Sequence, residues 1–292
     1  MISRRDSLAL LAGLALSPVA SSRANAITGA GADAWTRTPD GLLQALMKFR
    51  AALDDRMTLE WFQGVVYGVV DSAMLPLFTV NAVAFAHYQL TDDGSFRGRR
   101  AEVTFHTELG DTRLLEKFEN PYTGEHVDVP MSRTPNSDAV IDRNGLVAPS
   151  RVGAVRIESE PSLGPGKVNG ERCWVRLDTR TRVFVDGNPS PITTYGESLT
   201  YAGQNRDILD PRVLSAPCQI IYMNVMNWRP WMRMGALAGH STTVASGEKV
   251  ESLAEVPTDL RSFVEQHHPD LAQDPRAALA IRAPASGNSR EH

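Results

Sequence analysis

Residues 192–201, ITTYGESLTY, place Tyr195, Glu197, Leu199 and Tyr201 at every second position. Farther on, CQIIYMNVMNW does the same with Cys218, Ile220, Tyr222, Asn224, Met226 and Trp228. Alternate side chains of a strand share one face, so each stretch presents polar groups among aromatic and aliphatic ones. Two such faces turned to a common interior bring a Tyr-Glu-Tyr wall near a Tyr-Asn-Trp wall. A carboxylate against aromatic rings loses solvation, and its pKa rises toward neutrality, as a general acid or base requires. The competing expectation has Glu197 facing water beside a Lys or Arg of the next strand, with the tyrosines as ordinary cross-strand packing.

Three histidines join the candidates. His106 ends the strand-like AEVTFH, His87 lies on the mixed face of an apolar strand, and His240 follows a Gly-rich turn from which it would lid the same pocket. His87 and His106 are candidate proton carriers, although a histidine so placed is more often a hydrogen-bonded structural residue. The run MNWRPWMRMG holds Trp228, Arg229, Trp231 and Arg233. Each tryptophan buries about 150–250 Å², enough to fasten the end of a barrel. An arginine stacked on an indole gains only about 1–2 kcal/mol, less than the several kcal/mol that a buried unpaired charge costs. Arg229 and Arg233 therefore reach water or meet an anion, from the protein or from a ligand. NPYTGE reads first as a turn, through Asn120, Pro121 and Gly124, and leaves Tyr122 and Thr123 available at a barrel mouth.

Several chemistries have no visible device. The chain has no Gly-x-Ser-x-Gly elbow, no Walker loop, no Gly-x-Gly-x-x-Gly and no His-Glu-x-x-His. Cys173 and Cys218 are not spaced like zinc ligands. No cofactor and no metal is expected.

The elements that must position these residues are mainly strands. TPDGLLQALMKFRAALDD opens with a helix, Thr38 capping it and Pro39 in its first turn, with Leu42, Leu43, Leu46, Phe49 and Leu53 on one stripe. From Glu60 the period is two. In PLFTVNAVAFAHYQL the even positions, Phe78 to Leu90, are wholly apolar, and the odd ones, with Asn81, Phe85 and His87, are mixed. Turn signals separate FRGRRAEVTFH, TRLLEKFEN and EHVDVP; a long Pro/Ser/Gly/Asn-rich crossing precedes ERCWVRLD, TRVFVD and the two stretches quoted first. A second helix is expected at PTDLRSFVEQHH, with Leu260, Phe263 and Val264 on one side. The pattern predicts an antiparallel β-barrel, calycin- or lipocalin-like, flanked by N- and C-terminal helices and holding a partly polar cavity.

The first 26 residues read as an export signal. Arg4 and Arg5 precede a short apolar run over 8–16, and Ala24-Asn25-Ala26 offers a cleavage site after Ala26. The arginine pair resembles a twin-arginine signal, with Ser7 where a large apolar residue is usual. The expected divisions are a signal at 1–26, a barrel domain at 27–269 and a mobile tail at 270–292. The mature chain would carry 27 basic and 33 acidic side chains, net −6. That gives no electrostatic footprint for nucleic acid, and stable membrane insertion is not expected. The two cysteines are expected as buried free thiols, since a chain of this length needs no staple.

WFQGVVYG, NPYTGE, WRPWMRMG and VPTDLRSFVEQHHP follow one another in the order seen in the domain of unknown function 1838 family, and the chain resembles that family from about Pro39 to Pro269. The resemblance implies exported bacterial relatives and a β-rich domain, and it assigns no catalytic residue.

The residues point to a periplasmic, cofactor-independent lyase or isomerase acting on a small aromatic or other hydrophobic metabolite. Glu197, His106 or His87 would move the proton. Tyr195, Tyr201, Tyr222, Asn224, Trp228, Trp231, Arg229, Arg233, Tyr122 and His240 would hold the substrate. The alternatives are a periplasmic small-molecule binder or carrier without turnover, and an exported structural protein whose interior is filled by its own side chains.

Overall fold

The computed structural model describes residues 31–134, 136–147, 151–152 and 154–280. The expected export signal and cleavage site lie outside the described residues. Fourteen strands are described: β1 (Thr58–Val70), β2 (Ala73–Leu90), β3 (Phe96–Thr107), β4 (Lys117–Glu119), β5 (His126–Asp128), β6 (Ser132–Arg133), β7 (Ser137–Asp142), β8 (Gly145–Val147), β9 (Arg151–Val152), β10 (Val155–Asn169), β11 (Arg172–Val185), β12 (Thr193–Gln204), β13 (Gln219–Met226) and β14 (His240–Val250). Twelve of them form one antiparallel sheet in the order β8-β7-β3-β2-β1-β14-β13-β12-β11-β10-β9, with β6 added on β3; β4 and β5 make a separate hairpin. The sheet curls until its edges meet without pairing. A Cβ added to Gly145 of β8 would stand 2.8 Å from Leu177 of β11 and 3.3 Å from Pro161 of β10. The expected antiparallel barrel is therefore present and nearly closed.

Alternation sorts the side chains. One row of register partners runs His106, Val80, Gly64, Ala245, Tyr222, Leu199, Leu177, and the next runs Thr104, Ala82, Phe62, Gly247, Ile220, Tyr201, Val175. These rows face the interior. Small residues at Gly64, Ala82 and Ala245 leave room for Phe62 and Tyr222 to stack, ring centres 4.9 Å apart. Gly247 is required by close approach, because a Cβ there would sit 1.7 Å from the Trp61 carbonyl oxygen.

Both ends of the barrel are plugged. Helix α1 (Pro39–Arg50), with Thr38 Oγ1 accepting from the Gly41 N–H at 3.1 Å, inserts Leu43, Leu46 and Phe49 among Tyr88, Phe96, Ile141, Val175, Leu177 and Ile220. It thus enters the interior rather than lying on the outside, and it stops at Arg50 instead of continuing to Leu53. Lys249 of β14 closes the end of α1, its Nζ donating to the carbonyls of Lys48 (2.6 Å) and Ala51 (3.0 Å) and to Ser215 Oγ (2.8 Å). Lys48 does the same for helix α2 (Asn205–Leu209), donating to the carbonyls of Asp207, Ile208 and Asp210. The opposite end is filled by Met232 and Met234, with Trp228 and Trp231 against them, which join Val66, Phe78, Phe118 and Val127.

The C-terminal helices α3 (Thr258–His267), α4 (Pro269–Gln273) and α5 (Pro275–Ala280) cover the outer face of the sheet, placing Leu260, Val264, Leu271 and Leu279 on Leu59, Val83, Phe85 and Phe105. This corrects two expectations, that His87 serves the interior site and that the packed domain ends at residue 269. The mixed face of β2 points outward onto these helices, and its apolar face lines the interior. Packing also continues past residue 270, to Leu279. Two further corrections concern the Pro- and Gly-rich crossing. Much of it is strand, β6 to β10, and β11 is one strand of 14 residues where two were expected. Pro161 and Pro165 are tolerated in β10 because β9 pairs only with Val155 and Arg156, leaving that edge otherwise open. Cys173 and Cys218 are buried free thiols, and burial pushes both up to about 12.

Candidate functional site

Between the two plugs lies a cavity of about 210 Å³. Register alone aims the residues of its wall. β12 and β13 pair Glu197 with Asn224 and Tyr195 with Met226; β13 and β14 pair Asn224 with Thr243. Tyr195, Glu197, Tyr222, Asn224 and Arg229 all line this space, together with Phe62, Val80, Met226 and a set of threonines. The inward facing of the two alternating stretches thus holds, and Glu197 does not stand beside a surface lysine or arginine. Its cross-strand neighbours are Asn224 and Thr179.

Glu197 is the chemically distinctive group. Tyr222 donates its hydroxyl to Glu197 Oε1 at 3.3 Å. The carboxyl keeps partial contact with solvent through the cavity, and protein surrounds it elsewhere. Loss of solvation is the main reason its pKa is raised from the ordinary glutamate value; the nearby Glu102 carboxylate adds to the rise, while Arg100 and the Tyr222 hydroxyl work against it. Tyr222 and Tyr195 are raised in turn, first by burial and then by Glu197. Glu102 faces the same cavity and is ion-paired with Arg100.

Arg229 enters from the turn after β13. Its pKa is lowered by burial, and its Nε is sealed from solvent with no acceptor. Among the described residues no carboxylate pairs with it. On the same cavity wall, Asn224 Oδ1 is likewise a buried atom without a partner. Most buried groups of this kind are satisfied, so both are notable.

The remaining predicted residues lie elsewhere. Tyr201 is wholly buried on the α1 side, where it accepts from Arg50; Arg50 Nη2 also stands 3.5 Å from Glu60 Oε2. It belongs to a sealed polar cluster, not to the cavity wall. His106 does face inward but sits in the plug, edge-on to Phe78 (5.0 Å) and near Trp231 (5.9 Å). Burial and then the Arg229 charge push it down to about 3, so it is a neutral imidazole at any ordinary pH. His87 is on the outer face, in a groove of about 580 Å³ with Arg97, Arg99 and Arg276; it shares no site with His106. His240 has the outward parity of Val244, opposite to Ser241 and Thr243. Arg233 is exposed, in a left-handed turn with φ 52°, and so takes the route to water.

Trp228, Trp231 and Tyr122 build the plug and leave the cavity wall to others. Trp228 donates Nε1 to the Leu237 carbonyl at 3.0 Å and packs on Tyr122 at 5.6 Å. Trp231 packs on Phe78 and Phe118. The NPYTGE turn is locked to this plug: Asn120 Nδ2 donates to the Met232 carbonyl at 2.7 Å while its Oδ1 accepts from the Tyr122 N–H at 3.0 Å. Gly124, with φ +71°, closes the turn.

Sequence reasoning missed Glu102, Thr104 and Arg100. All three share the inward parity of His106 on β3, but in FRGRRAEVTFH the density of charge reads as a solvated strand. Among the described residues no group of three or more His, Cys, Asp or Glu stands together as a metal site, and no helix is long and apolar enough to cross a membrane.

Comparison with known proteins gives little beyond the family. No curated protein matches the chain. A solved structure, MucB in complex with MucA(peri), aligns over 80% of this chain and 96% of that one at 13% identity, but its TM-score of 0.10 carries no structural likeness. A family match covers residues 177–286, from the middle of β11 onward, and takes in WRPWMRMG and VPTDLRSFVEQHHP while WFQGVVYG and NPYTGE lie before it. Over that stretch, which carries Glu197, Tyr222, Asn224 and Arg229, the chain is similar to the family described as protein of unknown function (DUF1838).

Proposed function

We propose that this chain is an exported, cofactor-independent enzyme of the lyase or isomerase type, moving a proton on a small aromatic or otherwise hydrophobic metabolite held inside the barrel. The observation that carries the reading is Glu197: a carboxyl with a raised pKa, hydrogen-bonded by Tyr222, on the wall of an interior cavity. A carboxyl held nearer neutrality can give up and retake a proton at working pH, which an ordinary surface glutamate does poorly. Tyr222 fixes one oxygen of the carboxyl and leaves the other for the substrate. The stacked Phe62 and Tyr222 rings with Val80 and Met226 supply apolar walls.

A carrier without turnover is favoured by a different observation. The unpartnered atoms of Asn224 and Arg229 need a ligand but no reaction. One experiment separates the two readings. Native mass spectrometry of the purified protein identifies a co-purifying compound, which is then offered to the wild type and to Glu197→Gln. The enzyme reading expects conversion by the wild type and a loss of about 100-fold or more in the variant, with binding retained. Undiminished turnover by Glu197→Gln removes Glu197 from the mechanism, and binding with no conversion by either protein supports the carrier.

A further inference from the structure

Among the described residues, the cationic side chains turned into the barrel have oxygen partners, except for Arg229. Arg50 meets Glu60 and Tyr201, and Arg100 meets Glu102. Lys48 and Lys249 each hold three oxygen acceptors at the ends of helices. The Arg229 guanidinium makes no hydrogen bond or ion pair with any described residue, and Arg229 lines the cavity. Arg229 is half-buried with its Nε sealed, and a largely desolvated guanidinium without an anion is costly.

We infer that the cavity is a binding site for a small ring-sized organic acid, its carboxylate held by Arg229 and a hydroxyl or N–H of the same molecule donated to Asn224 Oδ1. Three further features limit the ligand. The volume of about 210 Å³ exceeds the roughly 150 Å³ that accommodates benzene, leaving room for one ring with one or two small substituents. The flat faces of Phe62 and Tyr222 and the side chains of Val80 and Met226 match such a ring. One guanidinium, with Glu102 and Glu197 on the same wall, suits a single negative charge and disfavours a dianion such as a phosphate ester. The planar fork of an arginine fits a carboxylate with two parallel bonds.

This inference rests on the cavity assigned above as the site of reaction and names the class of its substrate, but its test reads binding and not turnover. Calorimetric titrations of the full chain use benzoate, 4-hydroxybenzoate, benzyl alcohol and inorganic phosphate as probes, with wild type, Arg229→Met, Arg229→Lys and Glu197→Gln. The expected order on the wild type is 4-hydroxybenzoate tightest, then benzoate, with benzyl alcohol and phosphate at least tenfold weaker. Arg229→Met should weaken both acids at least tenfold and change benzyl alcohol less than twofold; Arg229→Lys should recover part of the loss. Glu197→Gln should keep the acids within a few-fold. Equal binding of benzyl alcohol and benzoate to the wild type overturns the inference, as does phosphate in preference to the acids, no binding of either acid, or undiminished acid binding by a folded Arg229→Met. Should that variant fail to fold, the wild-type order alone decides. Acid binding that depends on Arg229, with no turnover found, leaves this inference standing while the enzyme reading falls.

Discussion

Burial acts on Glu197 and His106 by one mechanism with opposite signs. Desolvation disfavours the charged form of each, so the carboxyl rises and the imidazole falls, the latter to about 3. The consequence for His106 can be measured. Its unfolded value is 6.5 and its folded value lies below that, so the stability it contributes is complete above pH 6.5 and is lost as pH falls toward 3. Linkage puts the loss at about 2 kcal/mol between pH 7.5 and pH 5. Urea unfolding of the wild type and of His106→Leu at both pH values should show the wild type losing that much more than the variant. Parallel losses would mean that His106 titrates normally and is not sealed in the plug. At this scale the sequence was informative where parity alone decides. Tyr195, Glu197, Tyr222 and Asn224 share the interior because a strand alternates, and no knowledge of partners is needed. His87 and His106 were harder, because which face each takes depends on the register of the β2–β3 hairpin, which pairs His87 with Arg99 and His106 with Val80.

Elements are held by a few polar contacts at their ends. α1 is closed by Lys249, α2 by Lys48, and the plug of residues 228–234 by Asn120, whose side chain spans two loops. Replacing Asn120 by Ala removes its side-chain hydrogen bonds to Met232, Met234 and Tyr122 and leaves the Met232 carbonyl unpaired in a buried place. The expected cost is about 2–3 kcal/mol in urea unfolding, with faster amide exchange at Tyr122; Thr123→Ala, at an exposed position of the same turn, should cost under about 0.5 kcal/mol. Equal effects at the two positions would show that the turn does not anchor the plug. NPYTGE is plainly a turn in sequence, through its Pro and Gly, but the loop it grips is 112 residues away along the chain and leaves no local sign. The strands from β6 to β10 are obscured for a related reason: prolines and glycines that usually mark loops are accommodated in strands with a largely open edge.

At the scale of the whole molecule, the barrel converts alternation into a division between inside and outside. The C-terminal helices cover one outer face, α1 and the tryptophan-rich loop stop the two ends, and the polar residues left between them surround a small cavity. The protein packed around that cavity is what desolvates Glu197 and raises its pKa, so the state of Glu197 reports on the whole arrangement. The sign of its linkage is opposite to that of His106: stability is complete below the unfolded value near 4.5 and falls as pH rises toward the raised folded value. Carbon-detected NMR titration of the glutamate side-chain carboxyls, with the Glu197 signal identified by its absence from Glu197→Gln, measures that value directly. A midpoint clearly above 4.5 is predicted, moving lower in Tyr222→Phe only if the lost hydroxyl is replaced by water. A midpoint at or below 4.5 in the wild type would contradict a desolvated carboxyl on the cavity wall and the chemistry proposed for it.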